Sequence, residues 1–323
     1  MASKTDTSDG PGRHNTDSTS SPTSFCSSEL LEDEEFSRSK GWRAPAQQQY
    51  GREEALQAAG HEGAFLKEDG CVFKVLNDNE AAALESLQDD PIKEFVPAYM
   101  GRVERDGKQY VKMADIVSGM SEPHVMDVKL GLRSFLESEV NINKKRLDLV
   151  DKALSLYGDT AGLSAEDRVQ GITKHRYLSL RDSLSTTLSL GFRISGIVVG
   201  GQSLGFTRKS HRTDQVRSAF RRFFQEATAH QKHSILWRLQ QFYEAASRSQ
   251  WFAYHEIIGN SLLFVYDADS PSRPFGLWMI DFGKTVPTPR RLSHKVPWVL
   301  GSNEDGHLFG VAQLMKFLQA EID

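Results

Sequence analysis

The sequence predicts an α+β protein of two lobes, a small β-rich lobe followed by a larger mixed one, with a cleft between them. Short β-rich runs cluster early, at 71–76 (CVFKVL), 95–103 and 109–113 (QYVKM). Apolar residues then recur at helical spacing over long stretches. Strand-like runs return late, at 192–199, 262–266 and 275–281, which separates the pattern from an alternating parallel α/β chain.

Composition narrows the partners. The 323 residues are 39% hydrophobic and 25% charged, ordinary for a globular protein. A net charge of −4 excludes a whole-chain polycation, so no nucleic-acid partner is expected, and any anion site must be a local basic cluster. Cys26 and Cys71 are the only cysteines, which excludes a disulfide framework or a cysteine zinc set. No apolar run is long enough to cross a bilayer, so no membrane insertion is expected. The N-terminus has no signal-peptide core, and Ala2 excludes the myristoylation pattern. The expectation is a cytoplasmic protein, with partial nuclear residence left open.

Residues 1–45 are rich in Ser, Thr, Asp, Gly and Pro and carry an acidic run at 29–35. They lack the apolar surface to offset ordering entropy and read as a disordered tail. The folded domain is expected over 46–323, with regular structure from near Gly60. Residues 60–119 form the smaller lobe and its hinge (ADIVSG, 114–119), and 120–323 the larger lobe. In the latter, Leu136, Val140, Leu147, Val150 and Leu154 predict a helix over 134–157, interrupted by the basic patch Lys144, Lys145, Arg146. Further helices follow through Val216–Phe223, through Ile235, Leu239, Phe242 and Ala246, and through Val311, Leu314, Met315, Leu318 and Ile322.

Two motifs carry chemistry. The first is Pro123-His-Val-Met-Asp127-Val-Lys129-Leu-Gly131, a PxxxDxKxG pattern. In an extended segment Asp127 and Lys129 project from one face, a carboxylate beside an ammonium. The second is an apolar run ending in Asp281-Phe-Gly283, which would place a carboxylate at a strand end, suited to a divalent metal. Upstream, Ser261 could join the metal shell or cap a turn. Phosphoryl transfer needs such a set: a lysine on nucleotide phosphates, a carboxylate for Mg²⁺ and a group that orients the acceptor hydroxyl.

These motifs, with 125–133 (VMDVKLGLR), 173–181 (TKHRYLSLR), 187–197 (TLSLGFRISGI), 255–265 (HEIIGNSLLFV), 278–287 (WMIDFGKTVP) and 303–306 (NEDG), give a chain that resembles the inositol polyphosphate kinase family. Within the family it is most similar to the inositol 1,4,5-trisphosphate 3-kinases, from about Ala59 to the C-terminus. The resemblance implies a two-lobed kinase-like fold with a helical insert, about 132–186, that covers the inositol phosphate. It implies ATP and Mg²⁺ as cofactors and phosphorylation of the 3-hydroxyl of a soluble inositol trisphosphate. A multikinase or hexakisphosphate kinase activity, or a non-catalytic scaffold with the same fold, stays open. A protein kinase proper does not fit, since no HRDxxxxN loop and no GxGxxG loop is present.

The resemblance also implies roles. Lys74 would bind ATP phosphates, and Asp115 would reach the ribose or adenine edge. Asp127 would orient the attacking hydroxyl, and Asp281 with Ser261 would hold the metal. Lys129, Arg146, Lys174, Tyr177 and Arg181 would hold the substrate phosphates. Taken singly, Lys74 and the 144–146 patch read as solvated surface, Tyr177 as core and Arg193 as structural. His230 and His233 have metal-like spacing but no evident partner ligands. Two departures stand out. Val198 occupies a place where the family's 3-kinases carry lysine, a contact that a neighbour such as Lys209 could supply. The segment 36–59 contains Pro45, the run of three glutamines 47–49 and Glu53-Glu54, so calmodulin binding is not expected.

Overall fold

The computed structural model describes residues 65–204 and 212–322. The chain divides into two units, Met1–Gln49 and Tyr50–Asp323, and every described residue belongs to the second. The expected tail, the 36–59 segment and Lys209 lie outside the described residues.

Two antiparallel sheets form the frame. The first contains β1 (Phe65–Glu68), β2 (Cys71–Val75), β3 (Tyr99–Arg105) and β4 (Lys108–Ala114), in the order β1-β2-β4-β3. Between β2 and β3 lies α1 (Asp78–Ser86), whose first turn is capped by the Asn77 side chain accepting from the Glu80 N–H. The chain then turns at Asp115, whose carboxylate accepts from the Val117 N–H, and enters the second sheet.

That sheet holds β5 (Pro123–Leu130), β8 (Phe192–Val199), β9 (Gln202–Ser203), β11 (Ser261–Asp267) and β12 (Gly276–Ile280), ordered β12-β11-β5-β8-β9. Its core face packs against α6 (Thr213–Phe223), α7 (Ala229–Arg248) and α9 (His307–Ile322). Met126, Val128 and Leu130 of β5 join one large apolar core with Phe220, Phe242, Phe264 and Leu314. Ala81, Leu84, Leu87, Ile92 and Phe95 from the first lobe belong to the same core, so the two lobes are cemented along one side. Among the described residues, Cys71, Phe73 and Tyr110, with Val103 against them, form a separate cluster in the small lobe.

Between β5 and β8 the chain builds the expected insert: β6 (Lys145–Arg146), α2 (Leu147–Tyr157), α3 (Ala165–Gln170), β7 (Ile172–Thr173), α4 (Lys174–Ser183) and α5 (Thr187–Leu190). It has its own apolar cluster, with Phe135, Leu149, Val150, Ala153, Tyr157 and Tyr177 among its members. The remaining elements are α8 (Gln250–Ala253) and the small pair β10 (His255–Ile257) and β13 (Thr285–Pro287). No helix among the described residues is long and apolar enough to cross a membrane.

Two expected elements differ. The helix predicted over 134–157 exists only from Leu147. Upstream, polar side chains find tertiary partners instead: Ser134 Oγ donates to Asp182 at 2.7 Å, and Glu137 accepts from Trp298 Nε1 at 3.0 Å and from the Asn303 N–H at 2.6 Å. Leu147, counted in the apolar stripe, is 53% exposed. The strand predicted over 95–103 begins at Tyr99, because Pro91–Phe95 is a 3₁₀ turn that sends Phe95 into the core, 5.4 Å from the Phe242 ring.

The motif glycine Gly131 has a steric reason. It adopts φ +104°, donates its N–H to the Gly191 carbonyl at 2.9 Å, and a Cβ there would lie 3.0 Å from the Asp305 carbonyl oxygen. The same carbonyl of Gly191 would lie 2.0 Å from a Cβ on Gly310 of α9. This three-glycine contact locks the C-terminal end of β5 to α9. Gly310→Ala should therefore destabilise the fold by about 1–3 kcal/mol or more, read as a lower Tm in thermal unfolding. An unchanged Tm would show that this contact yields freely.

Candidate active site

Strand alternation sets the site. While Met126, Val128 and Leu130 point into the core, Val125, Asp127 and Lys129 face the opposite side, toward the cleft. Register places Ser261 of β11 directly opposite Lys129, and Ile280, the last residue of β12, opposite Ser261. Asp281 follows at once, with φ +67°, a left-handed conformation that non-glycine residues adopt only when their surroundings impose it.

The charges converge on that aspartate. Lys74 Nζ lies 2.8 Å from Asp281 Oδ1 and 2.7 Å from Glu80 Oε1, while Lys129 Nζ lies 3.5 Å from Asp281 Oδ2. Lys129 also donates to Ser261 Oγ at 2.8 Å and to the Gly259 carbonyl at 3.2 Å. Burial disfavours the Asp281 carboxylate, but Lys129 and Lys74 outweigh it and hold its pKa below the usual value. Burial likewise works against the Lys74 ammonium, and the Asp281 and Glu80 carboxylates overcome it. Glu80 is 2% exposed and also receives the Phe282 N–H, so α1 orients both Lys74 and the Asp-Phe-Gly turn.

Asp127 sits differently. It is 2% exposed, and its Oδ1 has no hydrogen-bond partner among the described residues. Burial pushes its pKa up, against the opposing pull of Lys129 and a hydrogen bond from Ser261. The cleft thus sets two carboxylates apart: Asp281 held ionised by two ammoniums, Asp127 poised to take up a proton. As a donor set, Asp281 with its hydroxyl neighbour suits a hard divalent cation, which prefers oxygen ligands and one or two carboxylates. Ser261 is fully buried and already engaged by Lys129 and Asp127, so it also ties those two groups together.

The insert supplies the second half of the site. A cavity of about 430 Å³ is lined by Ile142, Lys144, Arg146, Asp148 and Lys174. Arg146 is paired with Asp148, Nε to Oδ1 at 2.9 Å, and Lys174 with Glu139. Glu139 also accepts from Lys284 Nζ at 2.9 Å, three residues past Asp281, which joins the insert to the Asp281 turn. Tyr177 is 4% exposed within the insert core, under the Lys152 ammonium, 5.7 Å from its ring centroid. Arg181, on the same helix, has a buried Nε with no hydrogen-bond partner among the described residues.

Asp115 lies at the hinge, where it pairs with Lys67 at 3.0 Å. Val198, opposite Val125, is 1% exposed, an apolar position in which an ammonium would be buried. His233 bonds its own helix, Nδ1 to the Ala229 carbonyl at 2.7 Å. Residue reasoning missed Glu80, Glu139 and Lys284. Lys284 stands inside the IDFGKT motif, whereas Glu80 and Glu139 leave no local signal. Arg193, expected to be structural, is opposite Lys129 in register, with its pKa lowered to about 10 by burial and by the Arg181 charge. It interacts with both Asp182 and Asp127, and donates to Thr187 Oγ1 at 3.1 Å.

With this geometry in place, comparison with known proteins is decisive. The family model of inositol polyphosphate kinase matches residues 110–319. The chain belongs to the inositol polyphosphate kinase family. This family member is 38% identical over 274 residues to the mouse protein named inositol-trisphosphate 3-kinase C, covering 82% of this chain and 39% of that one. It is 37% identical over 273 residues to the rat protein named inositol-trisphosphate 3-kinase A, covering 81% of this chain and 58% of that one. The chain therefore spans between two fifths and three fifths of the length of these relatives. Among solved structures, the inositol phosphate multikinase of S. cerevisiae in complex with ADP and Mn²⁺ superposes with a TM-score of 0.55 at 20% identity, covering 79% of this chain and all of that one. That likeness establishes the kinase-like fold.

The environment of Asp127 yields a stability test. Its folded pKa lies above the unfolded value, so the folded state holds the proton more tightly. Stability is then greatest at low pH and falls as pH rises through the ordinary carboxylate range toward the raised folded value. Asp127→Asn should keep or raise Tm at neutral pH, by on the order of 2 °C. The advantage should fade below about pH 4. Thermal unfolding across pH checks this, and a clear loss of Tm at neutral pH would show the carboxylate to be a stabilising partner.

Proposed function

We propose that this family member is an ATP- and Mg²⁺-dependent kinase that phosphorylates the 3-hydroxyl of inositol 1,4,5-trisphosphate. The observation that carries the reading is a pair of neighbouring arginines, Arg181 and Arg193, whose hydrogen-bonding capacity the described residues do not fill. Arg181 leaves a buried donor unpartnered beside the buried guanidinium of Arg193, and the nearby carboxylate of Asp182 is taken up by the Ser134 N–H and hydroxyl. Such a pair calls for an external anion. Lys144, Arg146 and Lys174 line the adjoining cavity, and their carboxylate partners, Asp148 and Glu139, can give way to phosphates. The likeness to proteins named inositol-trisphosphate 3-kinase supports the choice of substrate and position.

Lys74 would bind the nucleotide phosphates once released from Asp281, and Glu80 would keep it aimed. Asp281, with Ser261 in reach, would hold Mg²⁺. When bound, the metal neutralises charge on the phosphates and fixes their geometry. Asp115 at the hinge is proposed to meet the ribose or adenine edge. Asp127 would orient the acceptor hydroxyl and receive its proton as the new phosphorus–oxygen bond forms and the bond to ADP breaks. Lys129, tied to Ser261, would steady the transferring group, and Arg146, Lys174, Tyr177 and Arg181 would hold the substrate's existing phosphates.

Incubation with ATP, Mg²⁺ and inositol 1,4,5-trisphosphate should give the 1,3,4,5-tetrakisphosphate. A different isomer, or further phosphorylation, would indicate the multikinase-type activity suggested by the yeast relative, 24% identical over 289 residues. Asp281→Asn and Lys74→Met should each abolish turnover, and near-normal kinetics in either would refute the nucleotide site.

Arg181→Ala removes charge-assisted bonds worth about 1.5–3 kcal/mol. It should lower kcat/KM for the trisphosphate by roughly ten- to a hundred-fold, with the KM for ATP unchanged. Equal damage to both substrates would make Arg181 structural.

A further inference from the structure

On the face of β5 turned away from Asp127, a second cluster carries a chemistry that phosphoryl transfer does not use. His124 is fully buried, and its Nδ1 lies 2.7 Å from the Tyr266 hydroxyl on β11. That hydroxyl donates its single proton to the Phe223 carbonyl, at 2.7 Å. A phenol has one proton to give, so its oxygen must accept from Nδ1–H, which fixes the tautomer. The Nε2 lone pair is then left bare. It has no hydrogen-bond partner among the described residues, and it faces two carboxylates, Glu122 Oε1 at 3.9 Å and Glu226 Oε2 at 3.7 Å.

Three acceptors thus meet with no donor between them. His124 is fully buried, so a second proton on the ring would place a charge away from water. The charged neighbours do not fill the gap either. Arg222 lies near His124 and Tyr266, but its Nη1 bonds Gln225 Oε1, and it forms no ion pair with Glu122 or Glu226 among the described residues. What the arrangement lacks is a cation between the three acceptor atoms themselves.

We infer that Glu122, His124 and Glu226 form a binding site for a divalent metal ion of the zinc class. The three ligand atoms lie within 4.8 Å of one another. Tetrahedral ligation at about 2.0–2.1 Å sets donors roughly 3.3 Å apart, so each glutamate must close on the ring by about half an ångström, and the two carboxylates, up to 4.8 Å apart, must close by as much as about 1.5 Å. The mobile partners are the glutamates, whose side chains are 39% and 45% exposed, while the histidine is the fixed anchor. One imidazole nitrogen with two carboxylates suits zinc better than magnesium, and water would complete the shell. Tyr266 serves as the outer partner that orients the ligating ring. Room is kept by Gly200, where a Cβ would come within 3.2 Å of Glu122 Oε1. The ion would clip the entry to β5 to the connection between α6 and α7, a structural role independent of the nucleotide cleft.

The full chain, stripped with a chelator, is titrated with Zn²⁺ alone, without nucleotide, and followed by equilibrium dialysis and thermal unfolding. One equivalent should bind at micromolar or lower concentration and raise Tm. Glu122→Gln and Glu226→Gln, at half-exposed positions that tolerate the change, should each weaken binding at least tenfold and lose the Tm shift. Asp281→Asn should keep both, separating this site from the cleft. No uptake of zinc by the unaltered chain, or uptake unchanged in both glutamine variants, would overturn the inference.

Discussion

The structure depends on the two-residue period of one central strand. Because β5 lies in the middle of its sheet, Met126, Val128 and Leu130 must enter the core that joins both lobes. Asp127 and Lys129 are thereby forced onto the other face, with no freedom to slip, since a one-residue shift would exchange core for cleft along the whole strand. Gly131 closes the strand against Gly191 and Asp305, where a side chain would not fit. The rigidity of the apolar side is what makes the polar side exact enough for chemistry.

Charge is distributed over this frame with a consistent logic. Asp281 is kept ionised by two ammoniums from different lobes, whereas Asp127 is buried with incomplete hydrogen bonding and drawn toward its neutral form. Two carboxylates that face one cleft are thus given opposite proton affinities, which is how a site separates a metal-holding group from a proton acceptor. On the insert, cations are paired with exchangeable carboxylates near the surface and left under-paired at Arg181, so the anion-binding capacity deepens toward the cleft.

The insert itself is a partly independent unit. It has its own apolar cluster, and Glu139 links Lys174 of the insert to Lys284 beside the Asp281 turn. An anion bound at Lys174 would compete with that carboxylate from one side, and Glu139 is in turn tied to Lys284 near the Asp281 turn.

Much was legible from the sequence by itself. The late strands, three of the long helices and the pairing of Asp127 with Lys129 on one face follow from periodicities of 2 and 3.6, because a long strand or amphipathic helix repeats its signal many times. The family motifs place Lys74, Asp281 and the insert. Tertiary structure alone decided the rest. The stretch 134–146 shows a helical stripe, yet Ser134 and Glu137 are spent on partners as distant as Asp182 and Trp298, and those bonds outweigh local preference. The helix Lys174–Ser183 has no apolar stripe and exists because Tyr177 and Leu178 pack on the insert core. Glu80, Arg193 and the His124 cluster are invisible to spacing for the same reason: each acquires its role from a residue tens to hundreds of positions away, through a sheet register and a burial that only the folded chain creates.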